Sequence, residues 1–225
     1  MNPFFELFPI PNSEWQTLLQ TDAENNPETY DTLYSKLFPI RDRLIPKPEW
    51  VFRALTLAPG AIRIVILGQD PYPDKEMACG FSFATLNKKI PGSLRNIFKE
   101  IHADYGGQLR ENSDLSDWSQ QGVLLLNTSL TVLEHQAGVH SKLGWQKITK
   151  FIIDKILEKN PNTIFLLWGK HAHNLLPQQR PTFLKCGHPS PLAYGKDGDN
   201  NFKGCQHFKK ANDLLNNQGL PSIIW

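Results

Sequence analysis

The sequence predicts an α/β protein: three layers, α/β/α, with a central four-stranded parallel sheet. Three observations carry that reading. Four short runs, residues 62–67, 123–126, 164–168 and 183–186, are mostly apolar without strict alternation, as strands covered on both faces should be. Segments of helical period follow each run, and strands alternating with helices give a layered sheet joined by right-handed crossovers. Each run also stops at polar or glycine-containing loops, namely Gly68-Gln69-Asp70, Asn127, Gly169-Lys170 and Gly187-His188. Ligands in open α/β sheets sit outside the carboxyl ends of the strands, so Asp70, Asn127, Lys170 and His188 are expected to converge on one edge.

Residues 13–58 read as helical, with Ser13 as a cap, Pro27 opening a helix that carries Tyr30, Leu33 and Leu37, and another helix opening at Lys47-Pro48-Glu49. This mostly helical N-terminal part, residues 1–58, is expected to pack on the sheet. After the first strand, Gln69, Asp70, Pro71, Tyr72 and Pro73 make a stiff loop, since each proline fixes its own φ and biases its predecessor toward extended geometry. Alternation in residues 79–84, CGFSFA, predicts a short extended piece carrying Phe81 and Phe83. Pro91, Gly92 and Ser93 open a helix ending near Tyr105, with Ser93 as its cap and Leu94, Ile97, Phe98 and Ile101 as its inner stripe. Residues 143–159 repeat the pattern through Trp145, Ile148, Ile152 and Ile156 until Asn160-Pro161 ends it. Residues 171–176 start a short helix, and residues 206–217 form the last one, burying Phe208, Ala211 and Leu215 before Gly219. The most linker-like stretch, 194–201, is too short to divide domains, so residues 1–225 are expected to form one domain.

The chain is 40% hydrophobic and 20% charged, as ordinary globular proteins are. Its apolar runs fall far short of a bilayer span, and the N-terminus lacks the basic flank and apolar core of a signal peptide. No membrane association and a cytoplasmic location are expected. Cys79, Cys186 and Cys205, odd in number and irregularly spaced, argue against a disulfide framework and a Cys-x-x-Cys metal knuckle, and are expected to be reduced. His171 and His173, two apart on a helix, do not face one another, which argues against a metal pair. No glycine-rich phosphate loop or cofactor fingerprint occurs, so neither metal nor cofactor is expected. The net charge of +2 hides an asymmetry: residues 1–50 hold 4 basic and 8 acidic residues, leaving 20 basic and 14 acidic for the rest. That body charge is compatible with a polyanion partner, although solvated surfaces vary in charge without one.

Six motifs resemble, in order, the signatures of the family 1 uracil-DNA glycosylases: GQDPY at 68–72, GFSF at 80–83, LLLNTSLTV at 124–132, LGWQ at 143–146, LLWGKHA at 166–172 and HPSPL at 188–192. The resemblance covers residues 57–208, and the first 50 are placed only by adjacency. It implies a uracil-DNA glycosylase-like fold and a DNA repair enzyme that hydrolyses the N-glycosidic bond of deoxyuridine. Free uracil is released and an abasic site left for base excision repair, without cofactor or lyase activity. The implied partners are uracil-containing DNA, single- or double-stranded, and a protein inhibitor that mimics DNA; the implied state is a monomer.

By that resemblance, Asp70 would orient water and offset the cationic sugar. His188, as a neutral imidazole, would hydrogen-bond the oxygen on which negative charge accumulates, with the backbone near Gln69 assisting. Asn127 would pair with the base edge, its amide offering both a donor and an acceptor and rejecting the reversed pattern of cytosine. Phe83 would stack on the ring, and Tyr72 would fill the space that a thymine methyl needs. Pro91, Ser93, Gly169, Lys170 and Ser190 would contact DNA phosphates, and Leu192 would fill the gap left by the extruded nucleotide. Taken singly, each has a plainer reading: an Asx-turn for Asp70, turn residues for Asn127 and His188, core for Phe83, loop packing for Tyr72, an ordinary exposed leucine for Leu192.

Two positions depart from the family pattern: Pro73 stands where many members have histidine, and Lys170 where serine is usual. Pro73 keeps open a non-enzymatic DNA-binding relative that tethers a polymerase, against which Asp70 and His188 argue. A glycosylase for another damaged base is the second alternative, and Tyr72 with Asn127 favour uracil. Lys170 replaces a short hydrogen bond with a charge, which predicts steeper salt dependence.

Overall fold

The computed structural model describes residues 2–173, 182–196 and 201–225. Its centre is a parallel sheet of β1 (Ile64–Gly68), β2 (Val123–Asn127), β3 (Ile164–Trp168) and β4 (Thr182–Cys186), in the order β2-β1-β3-β4. Every residue of β1, β2 and β3 is buried, whereas β4, at an edge, exposes Thr182 and Lys185. The register pairs Gly68 with Asn127, Leu67 with Leu167, and Trp168 with Cys186. All four carboxyl ends are therefore level, and the loops beyond them share one edge.

From β1 the chain moves outward to β2, then returns past β1 to β3. Crossovers of one hand running in opposite directions place their helices on opposite faces and leave a crevice where the order reverses. One outer layer holds α4 (Gly92–Tyr105) and α8 (His207–Asn217), joined by a 3.1 Å hydrogen bond from the Tyr105 hydroxyl to the Phe208 carbonyl. The other holds α6 (Trp145–Lys159) beneath the N-terminal α1 (Pro3–Leu7), α2 (Ser13–Asn25) and α3 (Pro27–Leu37). Phe4 and Phe8 reach the Trp145 ring at 6.0 and 5.6 Å, fixing the N-terminal helices onto α6. Among the described residues the main core cluster runs from Phe4 to Ile223, with a small second cluster of Ile45, Ala78 and Val132.

Local chemistry corrects several expectations. Ser13 is the first residue of α2 and Asn12 is its cap, accepting from the Glu14 and Trp15 amides at 3.0 and 3.3 Å. A carboxamide oxygen serves here as a hydroxyl would have. Lys47-Pro48-Glu49 opens only a single 3-10 turn, Pro48–Trp50. Ser93 sits inside the first turn of α4 without capping it, because the helix starts at Gly92 after Pro91. Residues 79–84 bend instead of extending: the Ser82 amide donates to the Leu125 carbonyl at 3.1 Å, and Phe83 turns to φ 63°. Two short helices, α1 and α5 (Ser116–Gln120), carried no clear sequence signal. The helix after β3, α7, is described over Lys170–His173; the rest of the expected 171–176 segment, and 197–200 of the linker-like stretch, lie outside the described residues.

Candidate active site

The site starts at the pairing of Gly68 with Asn127. Beyond it the two chains stay joined. The Thr128 amide donates to the Gly68 carbonyl at 3.0 Å, and the Ser129 amide and Thr128 hydroxyl both donate to the Gln69 carbonyl, at 2.9 and 2.8 Å. The loop after β1 therefore leaves the sheet in a fixed direction. Asn127 is buried, and its Oδ1 has no hydrogen-bond partner among the described residues. A buried polar atom left unpaired costs about 1–3 kcal/mol, so this oxygen marks a place where a ligand donor belongs.

Asp70 is half-buried, and its Oδ2 accepts the backbone N–H of Gly138 at 2.6 Å. That amide belongs to the loop between β2 and α6, which is braced from below. Trp145 Nε1 donates to Thr131 Oγ1 at 2.8 Å, and Thr131 Oγ1 lies 2.9 Å from His140 Nδ1. Burial pushes the His140 imidazole below its ordinary value, with a bond at the Thr131 backbone opposing part of the shift. The neutral ring is thus a structural peg, and the Ser141 amide closes the turn onto the Gly138 carbonyl at 2.9 Å.

Phe83 and Tyr72 are set by each other. The Tyr72 hydroxyl donates to the Phe83 carbonyl at 3.0 Å, and burial, followed by the charge of Cys79, pushes that phenol above its ordinary range. Phe83 holds a left-handed backbone rare for an aromatic residue; such conformations cost about 1–3 kcal/mol and concentrate at functional sites. Its ring packs 5.3 Å from Trp168 and 6.1 Å from His188. His188 Nδ1 accepts the Ser190 backbone N–H at 3.1 Å, so a neutral ring carries its proton on Nε2. Gly169, at φ 86°, makes room for this histidine: a Cβ there would lie 3.0 Å from the His188 Cβ.

These groups enclose a cavity of about 170 Å³, lined among others by Gln69, Asp70, Tyr72, Phe83, Ser93, Asn127 and His188. Pockets for drug-sized ligands hold roughly 300–1,000 Å³, so this one suits a single small ring. All six residues expected to bind base or perform chemistry line it. Of those expected to hold phosphates, only Ser93 does. Pro91 caps the start of α4, whose first turns meet the 188–192 loop: a Cβ on Gly92 would lie 2.5 Å from Pro191 Cγ, and Asn96 Nδ2 donates to the Pro189 carbonyl at 2.8 Å. Gly169 borders the cavity through His188, Ser190 is half-buried, and Lys170 is exposed. Leu192 is 83% exposed, the highest value among the exposed large hydrophobics.

The sequence reading did not single out Gly138, the amide partner of Asp70, nor Trp168, the support of Phe83. Nothing local to AGVH announces a contact 68 residues away. Trp168 was visible only as a strand residue within LLWG. Ala78, Cys79 and Gly80 also form the wall, and Gly80 is obligatory because a Cβ would fall 2.2 Å from the Trp50 carbonyl oxygen.

The comparison with known proteins agrees with this geometry. The profile of the Uracil DNA glycosylase superfamily matches residues 56–216. A uracil-DNA glycosylase of Aliivibrio salmonicida is 41% identical over 223 residues, covering 95% of this chain and 97% of that protein. Its counterpart in Chromobacterium violaceum is 43% identical over 187 residues, or 81% and 77% of the two chains. The crystal structure of mimivirus uracil-DNA glycosylase superposes with a TM-score of 0.86 at 29% identity, covering 99% of this chain and 88% of that one. A mimivirus variant in complex with UGI superposes at 0.85 over 96% and 89%. The first relative's coverage extends the likeness through the N-terminal helices, which the motifs alone left unplaced. With level strand ends, a small cavity at their edge and relatives matched over most of their length in accord, the chain belongs to the uracil-DNA glycosylase superfamily.

Proposed function

We propose that this protein hydrolyses the N-glycosidic bond between deoxyribose and uracil in DNA, releasing the base and leaving an abasic site. The observation that carries the reading is the buried Asn127 carboxamide, its oxygen unpaired among the described residues, in a cavity it shares with Asp70 and His188. Uracil presents an N–H beside a carbonyl, which an amide matches; cytosine presents the reverse. Tyr72, pinned through its hydroxyl, excludes the 5-methyl of thymine by occupying its space.

The extruded base enters at an unstacking cost of about a few kcal/mol and stacks on Phe83. The bond from C1′ to the base nitrogen breaks, its electron pair leaving with uracil as a resonance-stabilised anion. His188 Nε2–H donates to the oxygen where that charge gathers, an oxyanion role served by a fixed neutral donor. The Asp70 carboxylate, held by the Gly138 amide, offsets the positive sugar and orients the water, which adds to C1′ while its proton passes, through solvent, to the departing uracil anion. One carboxylate suffices where most glycosidases use two, because this leaving group needs its charge stabilised more than it needs full protonation. No lysine lines the cavity among the described residues, which supports simple hydrolysis without lyase activity.

Ser93, Ser190, Gly169 and Lys170, with Pro91 at the helix start, position the DNA backbone, and exposed Leu192 fills the vacated stack. The same face is the one a DNA-mimicking inhibitor would cover, and the mimivirus relative is seen with UGI. The reading takes the chain as one monomeric, cytoplasmic domain; no helix among the described residues is long and apolar enough to cross a membrane. An end-labelled oligonucleotide with one uracil, incubated in chelator, tests the proposal. Alkali-labile sites should form at uracil and not at thymine or cytosine, without strand cleavage before alkali. An inactive protein that still binds DNA would favour the tethering relative raised by Pro73.

A further inference from the structure

Behind Phe83, on the far side of Trp168, the end of β4 and the start of α8 bring two thiols and an imidazole together. Cys186, Cys205 and His207 are 3%, 9% and 4% exposed, and their two sulfurs and a ring nitrogen all lie within 4.8 Å of one another. Cys186 Sγ stands 3.7 Å from His207 Nδ1. Tetrahedral zinc, with Zn–S near 2.3 Å and Zn–N near 2.0–2.1 Å, sets neighbouring ligand atoms about 3.5–3.8 Å apart. The cluster therefore needs only small inward shifts to become a coordination shell.

We propose that Cys186, Cys205 and His207 form a binding site for one soft divalent cation of the zinc and cadmium class. Thiolate and imidazole ligands select such ions over calcium or magnesium, which take oxygen. The charges close: two thiolates cancel the cation and the imidazole stays neutral, so a buried group without net charge results. On binding, each thiol releases its proton to solvent, two sulfur–metal bonds and one nitrogen–metal bond form, and no oxidation state changes. One coordination position remains open. Without metal, the hydrogen bond that the Cys186 thiol donates to Cys205 and then burial push the Cys186 thiol up.

Trp168 links the site to the proposed base pocket. His207 Nδ1 accepts Trp168 Nε1–H at 3.1 Å, and Trp168 is the ring on which Phe83 packs. A metal takes that lone pair and frees the indole. Spacing concealed the cluster, since Cys186 comes from a strand and the other two ligands from the approach to the last helix.

Titrating the full chain with Cd²⁺ tests the site, reading the ultraviolet sulfur-to-cadmium charge-transfer band together with bound metal by equilibrium dialysis. One Cd²⁺ per chain with a two-thiolate band is expected. Cys186→Ala and Cys205→Ala should each abolish it, while Cys79→Ala, at the buried thiol of the cavity wall, should keep it. Absence of the band in the unaltered chain would overturn the proposal, as would a band that follows Cys79 instead of Cys186. Neither readout depends on glycosylase activity.

Discussion

Asn127 lies so close over Gly68 that a Cβ on the glycine would stand 2.2 Å from the carboxamide oxygen. The two are cross-strand partners at the carboxyl ends of β1 and β2, so the absence of a side chain on one sets the position of the amide on the other. Gly68→Ala must therefore push the Asn127 carboxamide aside and press on the buried Ser82 Cβ, which the new methyl would meet at 2.8 Å. A displacement of about 1 Å can cost roughly 10²-fold in rate, and a loss of kcat/KM of that order on uracil-containing DNA is expected. Steady-state kinetics beside a thermal melt would separate the two effects.

Tyr72 is held by its bond to the Phe83 carbonyl, independently of any ligand in the cavity. Tyr72→Ala should open the space for a methyl group, and thymine release should become detectable while uracil release persists. Base-release chromatography on thymine-containing oligonucleotide reads this directly. Strict uracil specificity in the variant would mean that another group performs the exclusion.

His140 makes the brace of the Gly138 loop sensitive to acid. Its ordinary value is 6.5, and burial lowers it in the folded protein. Between the lowered value and about 6.5 the unfolded chain holds the extra proton, so the stabilisation present above that interval is lost as pH falls through it. His207, depressed to about 4 by burial, acts in the same direction. The decisive comparison is the urea midpoint of the wild type and His140→Gln over falling pH, and a shallower decline is expected in the variant.

Lys170 opens α7 beside the Gly169 that packs on His188, and it is exposed. If its ammonium meets a phosphate, Lys170→Ser should reduce the slope of log affinity against log salt by about 1. Fluorescence anisotropy on one duplex at several salt concentrations gives the slope, and an unchanged value would remove Lys170 from the interface.

The strands were legible because Ile64 to Leu67 and Ile164 to Trp168 have no polar residue to place in water, and each stops at a glycine. Asp70, Asn127 and His188 followed from those stops, since parallel strands deliver their loops to one edge. Phe83 was legible as an aromatic near the site but not as a bent one: its alternating neighbours suggested extension, whereas the tie between Ser82 and Leu125 bends the segment over the strand ends. The caps at Ser13 and Ser93 were misplaced because Asn12 offers a better-placed oxygen and Pro91 moves the helix start forward. Gly138 and the Cys186, Cys205 and His207 group were hidden for one reason: their partners are distant in the chain, and only the closed fold brings them within bonding range.

Single-turnover uracil release by Asp70→Asn, measured beside its DNA affinity, tests the central claim most directly. The amide can still accept the Gly138 N–H, so geometry is kept while the charge is removed. Losing a group that acts on developing charge costs about 10²–10³-fold, and a fall of at least that size with unchanged affinity is predicted. Release at the wild-type rate would contradict the account, because the cavity would then perform its chemistry without the carboxylate around which it is built.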